Sequence, residues 1–196
     1  RYLSSAASDV YKRQDQGFQE SLIHLAGGIG QVGDFTNYYA GNQSYFDPAL
    51  WHNNEIKKYE GYCSDIFTDE ALKFIEQNKS NQFFCYLSFN APHTPLQVPE
   101  KYYDLYKDID PSNFYDEVTY EMTERDVNDA KKIYGMVTNI DENFGKLLYK
   151  LEELDIKENT IVIFLTDNGP QQTRYVSNLR GLKSQVYNGG IKVPLY

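Results

Sequence analysis

Two short polar segments each follow an apolar, strand-like stretch of the sequence. In the first, His93 lies between Pro92 and Pro95, directly after the stretch that ends at Phe89. A stiff segment of this kind can hold an imidazole at the edge of a crevice. The neutral ring accepts a hydrogen bond, and the protonated ring acts as a general acid near neutral pH. A histidine that simply bonds to the backbone is the alternative.

The second polar segment is Asp167-Asn168-Gly169-Pro170, which follows the β-branched stretch Thr160–Thr166. A carboxylate beside a side-chain amide offers adjacent hard oxygen donors that suit Ca²⁺ or Mg²⁺. The same sequence is also a common turn, in which the side chains bond to their own backbone. Two ligands do not complete a calcium site of about six to eight oxygens, so further acidic ligands must come from elsewhere.

A lysine follows within a short distance. Lys183 lies in the segment Arg180–Ser184, and Gly189 and Gly190 come soon after it. Glycines let the backbone approach a bound anion closely, and an ammonium group supplies a point charge for a tetrahedral oxyanion. A lone lysine is usually solvated. This one is singled out because it follows the histidine and the Asp-Asn pair in order, each of them past a predicted element.

Periodic patterns predict the elements that position these residues. Helical spacing predicts an amphipathic helix over residues 65–78 and a long helix over Arg125–Leu154. The runs Gln82–Phe89 and Thr160–Thr166 are typical of strands that are covered on both faces. A strand, a helix and a second strand form a crossover unit, in which the strands are parallel in one sheet. We therefore expect an α/β fold with its functional crevice beyond the carboxyl ends of these strands.

Other segments carry weaker patterns. Gly17–Tyr62 contains a cluster of glycines and predicts a loop-rich surface with a short hairpin around Trp51. The cluster lacks the Lys-Ser/Thr ending of a phosphate-binding loop. Residues 100–124 predict a short helix followed by a surface loop, and residues 191–196 predict a further strand.

The composition excludes several classes of function. Lys and Arg number 19 against 28 Asp and Glu, a formal net charge of −9, so nucleic acids and anionic membranes are not expected partners. No run approaches the roughly 20 apolar residues of a transmembrane segment. Cys63 and Cys85 are too few and too far apart for a disulfide framework or a usual zinc site, and we expect two free thiols. The oligomeric state is left open.

The first residues share no pattern with the rest of the chain. The segment DVYKRQ, residues 9–14, resembles the translation of an adapter used in sequencing libraries. We therefore expect residues 1–14 to be a non-native leader and residues 15–196 to form the domain. An ordinary N-terminal arm is the alternative. The start of the chain shows no signal-peptide pattern.

Four motifs in this order and spacing resemble the second half of the catalytic domain of sulfatases, the arylsulfatase-like branch of the alkaline phosphatase superfamily: APHTP, FLTDNGP, GLKS and YNGGIKVP. The resemblance implies part of a three-layer α/β/α sandwich with a mostly parallel central sheet. It also implies calcium-dependent hydrolysis of a sulfate ester, on a small molecule or a sulfated glycan. The nucleophile would be a formylglycine made from Cys or Ser in an upstream C/S-x-P-x-R motif. A periplasmic or secreted location is implied as well.

The resemblance assigns roles position by position. His93 matches the histidine that contacts the sulfate and is a candidate proton donor to the leaving oxygen. Lys183 matches the lysine that binds the sulfate and neutralises charge in the transition state. These two are the predicted catalytic and substrate-binding residues. Asp167 and Asn168 match two ligands of the single calcium ion, and the remaining ligands are expected upstream.

The chain also departs from the family pattern. It contains no C/S-x-P-x-R motif, so neither cysteine is a candidate nucleophile. Asn188 stands where the family usually has Glu, at a position that supports Lys183. We expect an interior fragment of the catalytic domain that is inactive alone. The alternatives are a phosphatase or phosphodiesterase of the same superfamily, and a non-catalytic glycan-binding domain that uses Trp51 and the many tyrosines for stacking.

Overall fold

The computed structural model describes residues 2–4, 17–24, 28–30, 34, 37, 44–114, 121–172 and 179–196. Two helices that pack against each other form its framework, α1 (Cys63–Asn78) and α3 (Glu124–Glu153). The shorter elements are α2 (Glu100–Tyr103), α4 (Asn188–Ile191), 3₁₀ turns at Pro111–Phe114 and Lys157–Asn159, and the strands β1 (Tyr2–Ser4), β2 (Leu22–Ile23), β3 (Ala49–His52), β4 (Glu55–Lys58) and β5 (Phe84–Tyr86). Within these ranges, no helix has the length and apolar character needed to cross a membrane.

Helix α1 confirms the amphipathic pattern and begins two residues before the predicted start. Its inner face buries Phe74 and Ile75 against α3 and the strand that follows. Tyr62 is the N-cap of this helix, and no side chain caps it. Asp65 lies inside the first turn, where its carboxylate complements the helix dipole.

Helix α3 confirms the long helix predicted from apolar spacing. It begins with a capping box, in which the Thr123 hydroxyl accepts from the Asp126 N–H and the Asp126 carboxylate accepts from the Thr123 N–H. Its apolar stripe buries Met136 and Leu151. Local capping and tertiary burial therefore act on the same helix.

A polar network joins α1 to α3. Asn139 and Asn143, one turn apart on α3, donate from Nδ2 to Oδ1 of Asp65 at distances of 2.9 and 2.7 Å. The Lys146 ammonium lies 3.8 Å from the same oxygen. Both asparagines are fully buried. Because a buried polar group without a partner costs about 1–3 kcal/mol, this network favours one register of the two helices.

The predicted hairpin around Trp51 is confirmed. Strands β3 and β4 pair antiparallel, with Trp51 opposite Ile56, and β2 adds to the other edge of β3. Asn53 and Asn54 close the hairpin with φ values of 48° and 73°. These left-handed values are typical of a type I′ turn, for which asparagine is well suited.

The prediction of a loop-rich surface before α1 is wrong for several residues. Ile29 and Tyr45 are fully buried, and so is Asp34. The Asp34 carboxylate accepts hydrogen bonds from the N–H groups of Gly30 and Asn37, and from the Asn37 side chain. Irregular backbone can be buried here because side chains satisfy its donors. Two of the four clustered glycines lie outside the described residues.

The strand predicted over 82–89 is shorter and is covered on one face only. In β5, Phe84 and Tyr86 are 50% and 44% exposed, whereas Cys85 packs against the cluster between α1 and α3. Burial raises the pKa of the Cys85 thiol to about 12, as expected for a free cysteine that packs as a small hydrophobe. Strand β5 pairs in parallel with β1, which falls inside the predicted leader.

The segment predicted as a strand over Thr160–Thr166 is also covered on one face only, which corrects the prediction. Ile161 and Ile163 are 90% and 63% exposed, whereas Val162 packs against the same cluster as Cys85. Among the described residues, this segment forms one antiparallel bridge, from Leu165 to Leu195. Leu195 belongs to the predicted C-terminal strand, which is therefore paired at this residue. The expected parallel pairing with β5 is not found in the described ranges. A run of apolar residues indicates a preference for strand conformation. It does not show whether other elements cover both faces of the strand.

The short helix predicted within residues 100–124 is present as α2 (Glu100–Tyr103). Tyr102 on α2 is nevertheless buried, and its hydroxyl donates to the Glu142 carboxylate of α3 at 2.6 Å. The rest of this segment includes residues 115–120, which lie outside the described residues.

Candidate active site

The Asp167-Asn168 pair and Lys183 are brought together by three backbone hydrogen bonds. These bonds connect the segments Asp167–Pro170, Arg180–Ser184 and Tyr187–Ile191, which we call the glycine clasp. They run from Lys183 N to Pro170 O (2.7 Å), from Gly169 N to Gly190 O (3.0 Å) and from Gly189 N to Arg180 O (2.7 Å).

Glycine is required where the segments of the clasp touch. A Cβ atom on Gly169 would lie 1.8 Å from the Gly189 carbonyl oxygen, far inside van der Waals contact. Gly181 has a φ of +99°, and a Cβ atom there would lie 2.7 Å from Cβ of Tyr187. From the sequence, the glycines that flank Lys183 are expected to allow a close approach of the backbone to an anion. In the structure they allow the three segments to approach one another.

The Asp167-Asn168 pair presents oxygen donors of the kind that a hard cation prefers. The Asn168 Nδ2 group donates to Oδ2 of Asp167, so the donors available to a cation are Asn168 Oδ1 and the carboxylate. Asp167 is exposed and Asn168 is half-buried. The described part of the chain contains no group of three or more His, Cys, Asp or Glu side chains placed to hold a metal. The pair alone therefore supplies only part of the roughly six to eight oxygens that a calcium ion takes.

Hydrogen bonds from two consecutive backbone N–H groups fix the segment at Lys183. The Lys183 N–H is bonded to Pro170, and the preceding Leu182 N–H donates to Gln185 Oε1 at 3.1 Å. Ser184 follows with a left-handed φ of 69°. Lys183 itself is half-buried, and none of the ion pairs found among the described residues involves it. Its positive charge can therefore act on an anion that enters the clasp.

His93 lies in a tight turn. Residues 91–95 form turns, and the Ala91-Pro92 and Thr94-Pro95 peptide bonds are cis. The His93 N–H donates to Asn90 O at 2.9 Å, and its Nδ1 lies 3.0 Å from Thr94 O. Because a carbonyl only accepts, this contact favours the tautomer with the proton on Nδ1, although the Thr94 hydroxyl also lies 3.4 Å from Nδ1. Nε2 is then the ring atom that accepts a proton and can return it.

Tyr45 is a buried residue of this site that the sequence analysis missed. Its hydroxyl lies 2.7 Å from Asn90 Oδ1 and 2.9 Å from His93 O, and its N–H donates to Gln97 Oε1 at 2.8 Å. The ring stacks on Tyr62 with centroids 5.8 Å apart. Burial raises the Tyr45 pKa well above its ordinary value, so the phenol remains a donor. No sequence signal marks it beyond its place two residues before a turn.

A groove of about 370 Å³ lies on the His93 side of the molecule. Gln97, which accepts from the Tyr45 backbone, forms part of its wall. The lining combines two aromatic rings, apolar side chains and one residue of each charge: Phe46, Leu96, Gln97, Val98, Glu100, Tyr103 and Lys132. No residue of the glycine clasp contributes to this groove.

The structure thus brings three of the four predicted site residues into one cluster. The contacts described for His93 run to Tyr45, Asn90 and Thr94, and they do not connect it directly to the clasp. The histidine and the clasp are therefore positioned by separate parts of the chain.

The fold and these motifs are those of the sulfatase family. A match to that family covers residues 6–195, so the chain belongs to it; the match begins inside the predicted leader. The chain is 29% identical over 172 residues to the uncharacterized sulfatase YdeN of Escherichia coli K12, covering 83% of this chain and 27% of that protein. It is 26% identical over 196 residues to an arylsulfatase of Clostridium perfringens, covering 86% and 40%. The chain therefore spans less than half the length of either relative.

A solved structure supports the same relation. The crystal structure of Ps i-CgsB in complex with k-i-k-neocarrahexaose has a TM-score of 0.75 with 25% sequence identity, covering 99% of this chain and 43% of that one. The likeness shows the alkaline phosphatase-like α/β fold of sulfatases.

Proposed function

We propose that this chain forms part of the active site of a calcium-dependent sulfatase that hydrolyses a sulfate ester on a glycan. The observation that carries the proposal is the glycine clasp, which fixes Lys183 beside the Asp167-Asn168 pair. Membership of the sulfatase family and the oligosaccharide in the Ps i-CgsB structure support it. The nucleophile, a formylglycine, and the remaining calcium ligands would lie outside this chain, which would be inactive alone.

Lys183 would bind the sulfate and neutralise charge that develops as the S–O bond breaks. A fixed cation aimed at a developing oxyanion is commonly the largest catalytic contribution of a site. Asp167 and Asn168 would hold the calcium ion, which supplies further positive charge when bound. The backbone bonds of the clasp reduce the reorganisation that these groups need when substrate binds.

His93 would donate a proton to the leaving oxygen. The Nδ1 contact with Thr94 O fixes the ring and leaves the reactive proton to Nε2. A general acid in this position typically contributes about 10²- to 10⁴-fold. Tyr45 would act on this residue through the backbone of its loop, as a positioning residue.

We also place the chain within a larger three-layer α/β/α sandwich. The residues of β5 and of 161–165 alternate between one covered and one exposed face. Partners for the exposed faces would come from the longer protein and complete a mostly parallel sheet.

The proposal is tested first by sulfate binding to the full chain in the presence of Ca²⁺, followed by NMR. Replacing Lys183 with Gln should weaken binding about 10- to 100-fold, the range for loss of a charge-assisted bond. Lys192→Gln, which removes an exposed cation from the same end of the chain, is the matched control. Equal effects of both substitutions would contradict the assignment of Lys183.

The second test uses the longer gene product. It should hydrolyse an aryl sulfate in the presence of Ca²⁺, and Asp167→Ala should abolish this activity. Hydrolysis of an aryl phosphate with no sulfatase activity would favour the phosphatase alternative instead.

A further inference from the structure

The C-terminal part of this acidic chain is locally basic. Residues 168–196 contain four Lys or Arg and no Asp or Glu, although the whole chain carries 28 acidic and 19 basic residues. Two of the four cations, Arg180 and Lys183, lie in one loop of the glycine clasp. The clasp itself contains Asp167, Arg180 and Lys183, a net charge of +1, whereas the molecule as a whole is acidic, and this difference favours binding of anions at this place.

Arg180 is held in a defined orientation. Its guanidinium lies over the Tyr187 ring, with 3.9 Å between the guanidinium carbon and the ring centroid. Its carbonyl accepts from the Gly189 N–H within the clasp. A guanidinium over the face of an aromatic ring is attracted by the ring quadrupole, and this contact restricts where the side chain lies. The side chain is therefore oriented before any ligand arrives.

The charge of Arg180 is not neutralised by the described residues. None of the ion pairs found among them involves this arginine. Arg180 is exposed, and Tyr187 beneath it is 43% exposed. The neighbouring position in the clasp is Asn188, which precedes the glycine bonded to Arg180 and carries an uncharged amide. An ordered, exposed guanidinium of this kind can bind an oxyanion.

We propose that Arg180 binds a second anionic group of the substrate, while Lys183 binds the sulfate that reacts. The proposal rests on the function proposed above and adds a substrate class, a glycan that carries two oxyanionic groups close together. The two cations suit different tasks. The planar guanidinium pairs with two oxygens of a sulfate or carboxylate at once, whereas the ammonium acts as a point charge.

Anions that share a backbone and differ in charge test this assignment. The full chain with Ca²⁺ is titrated by NMR with inorganic sulfate, with alkane monosulfonates, and with α,ω-alkane disulfonates of increasing length. We expect the best disulfonate to bind about three- to tenfold more tightly than its monosulfonate, the range for a partly exposed charge-assisted contact. Arg180→Gln should remove this difference, and it should weaken the binding of inorganic sulfate less than that of the disulfonate.

Two further variants control for general electrostatics and for misfolding. Lys192→Gln removes the same charge outside the clasp and should preserve the preference for the disulfonate. Asn188→Glu leaves Arg180 in place but adds a carboxylate within the clasp, and it should reduce the preference as Arg180→Gln does. The amide spectrum of each variant shows whether the chain remains folded.

Three results would overturn the proposal. A wild-type chain that binds disulfonates no more tightly than monosulfonates has no second anion site. If Arg180→Gln weakens sulfate and disulfonate binding equally, the arginine contacts the same anion as Lys183. If Lys192→Gln removes the preference as well, the effect is one of net charge. By contrast, a wild-type chain that binds no sulfate at all would contradict the proposed function itself, and the second site with it.

Discussion

The hydroxyl of Tyr45 connects two points of the His93 loop, and its removal isolates what that connection contributes. In Tyr45→Phe the ring and its packing on Tyr62 remain, whereas the contacts with Asn90 Oδ1 at 2.7 Å and His93 O at 2.9 Å are lost. The backbone bond from Tyr45 to Gln97 is unaffected. The substitution therefore removes the contacts of the hydroxyl with the His93 loop and changes the side-chain volume little.

The size of the effect follows from the partners that remain. Asn90 Oδ1 still accepts from the Ile29 N–H at 3.1 Å, so it keeps one partner, whereas His93 O loses this donor. A net hydrogen bond contributes about 0.5–1.5 kcal/mol, and a part-buried acceptor that loses its donor adds to the loss. We expect the free energy of unfolding to fall by about 1–3 kcal/mol.

Two measurements on the same variant separate stability from positioning. Urea unfolding gives the change in free energy, and the NMR resonances of the three histidine rings report on their surroundings. The His93 resonance should shift in Tyr45→Phe, whereas those of His24 and His52 should not. Tyr103→Phe is the control, since its hydroxyl makes a long, exposed contact of 3.3 Å with Asn128. An unchanged His93 resonance in Tyr45→Phe would refute the role in positioning, whatever the stability.

Two further substitutions test the clasp and the hairpin. Gly169→Ala should destabilise the folded chain in urea unfolding and weaken sulfate binding, because the new Cβ would lie 1.8 Å from Gly189 O. Gly145→Ala is the control, since a Cβ there would have nothing within 4 Å, and it should be neutral or stabilising in the same assay. The His52 pKa is lowered, first by burial, and Nδ1 contacts the Tyr59 hydroxyl at 2.6 Å. As the pH falls below about 6.5, the unfolded state takes up this proton first, so stability declines. His52→Gln should flatten that decline in unfolding curves measured at successive pH values, and an unchanged slope would count against this explanation.

The two long helices could be predicted from the sequence because a local pattern determines them. The 3.6-residue spacing of α3 agrees with a capping box at its first turn, and both signals lie within the helix itself. The Asn53-Asn54 turn is also local, since two left-handed residues are enough to close a two-residue hairpin. These elements could be predicted because residues that are close in sequence determine their conformation.

The buried loops before α1 could not be predicted, because their cause is not periodic. Asp34 accepts from three donors on Gly30 and Asn37, and these bonds allow irregular backbone to lie in the core. Tyr45 likewise reaches acceptors 45 and 48 residues away in the chain. Hydrophobic patterning cannot report such contacts, since a buried polar side chain and a solvated one look the same in sequence.

The clasp was predicted in part, and the part that was missed bears on how an acidic protein can bind sulfate. The order of the Asp-Asn pair and Lys183 marked the site, but the order gave no sign that its glycines are needed for contact between segments. The contacts between segments hold the loop that contains Arg180 and Lys183. This loop belongs to residues 168–196, which include no acidic residue. Charges beyond roughly 8–10 Å are largely screened at physiological ionic strength, so an anion at the clasp responds to these cations more than to the net charge of −9. Raising the salt concentration should therefore weaken sulfate binding to the chain, as for an attractive local site. If the overall negative charge controlled the approach of the anion, added salt would strengthen binding instead.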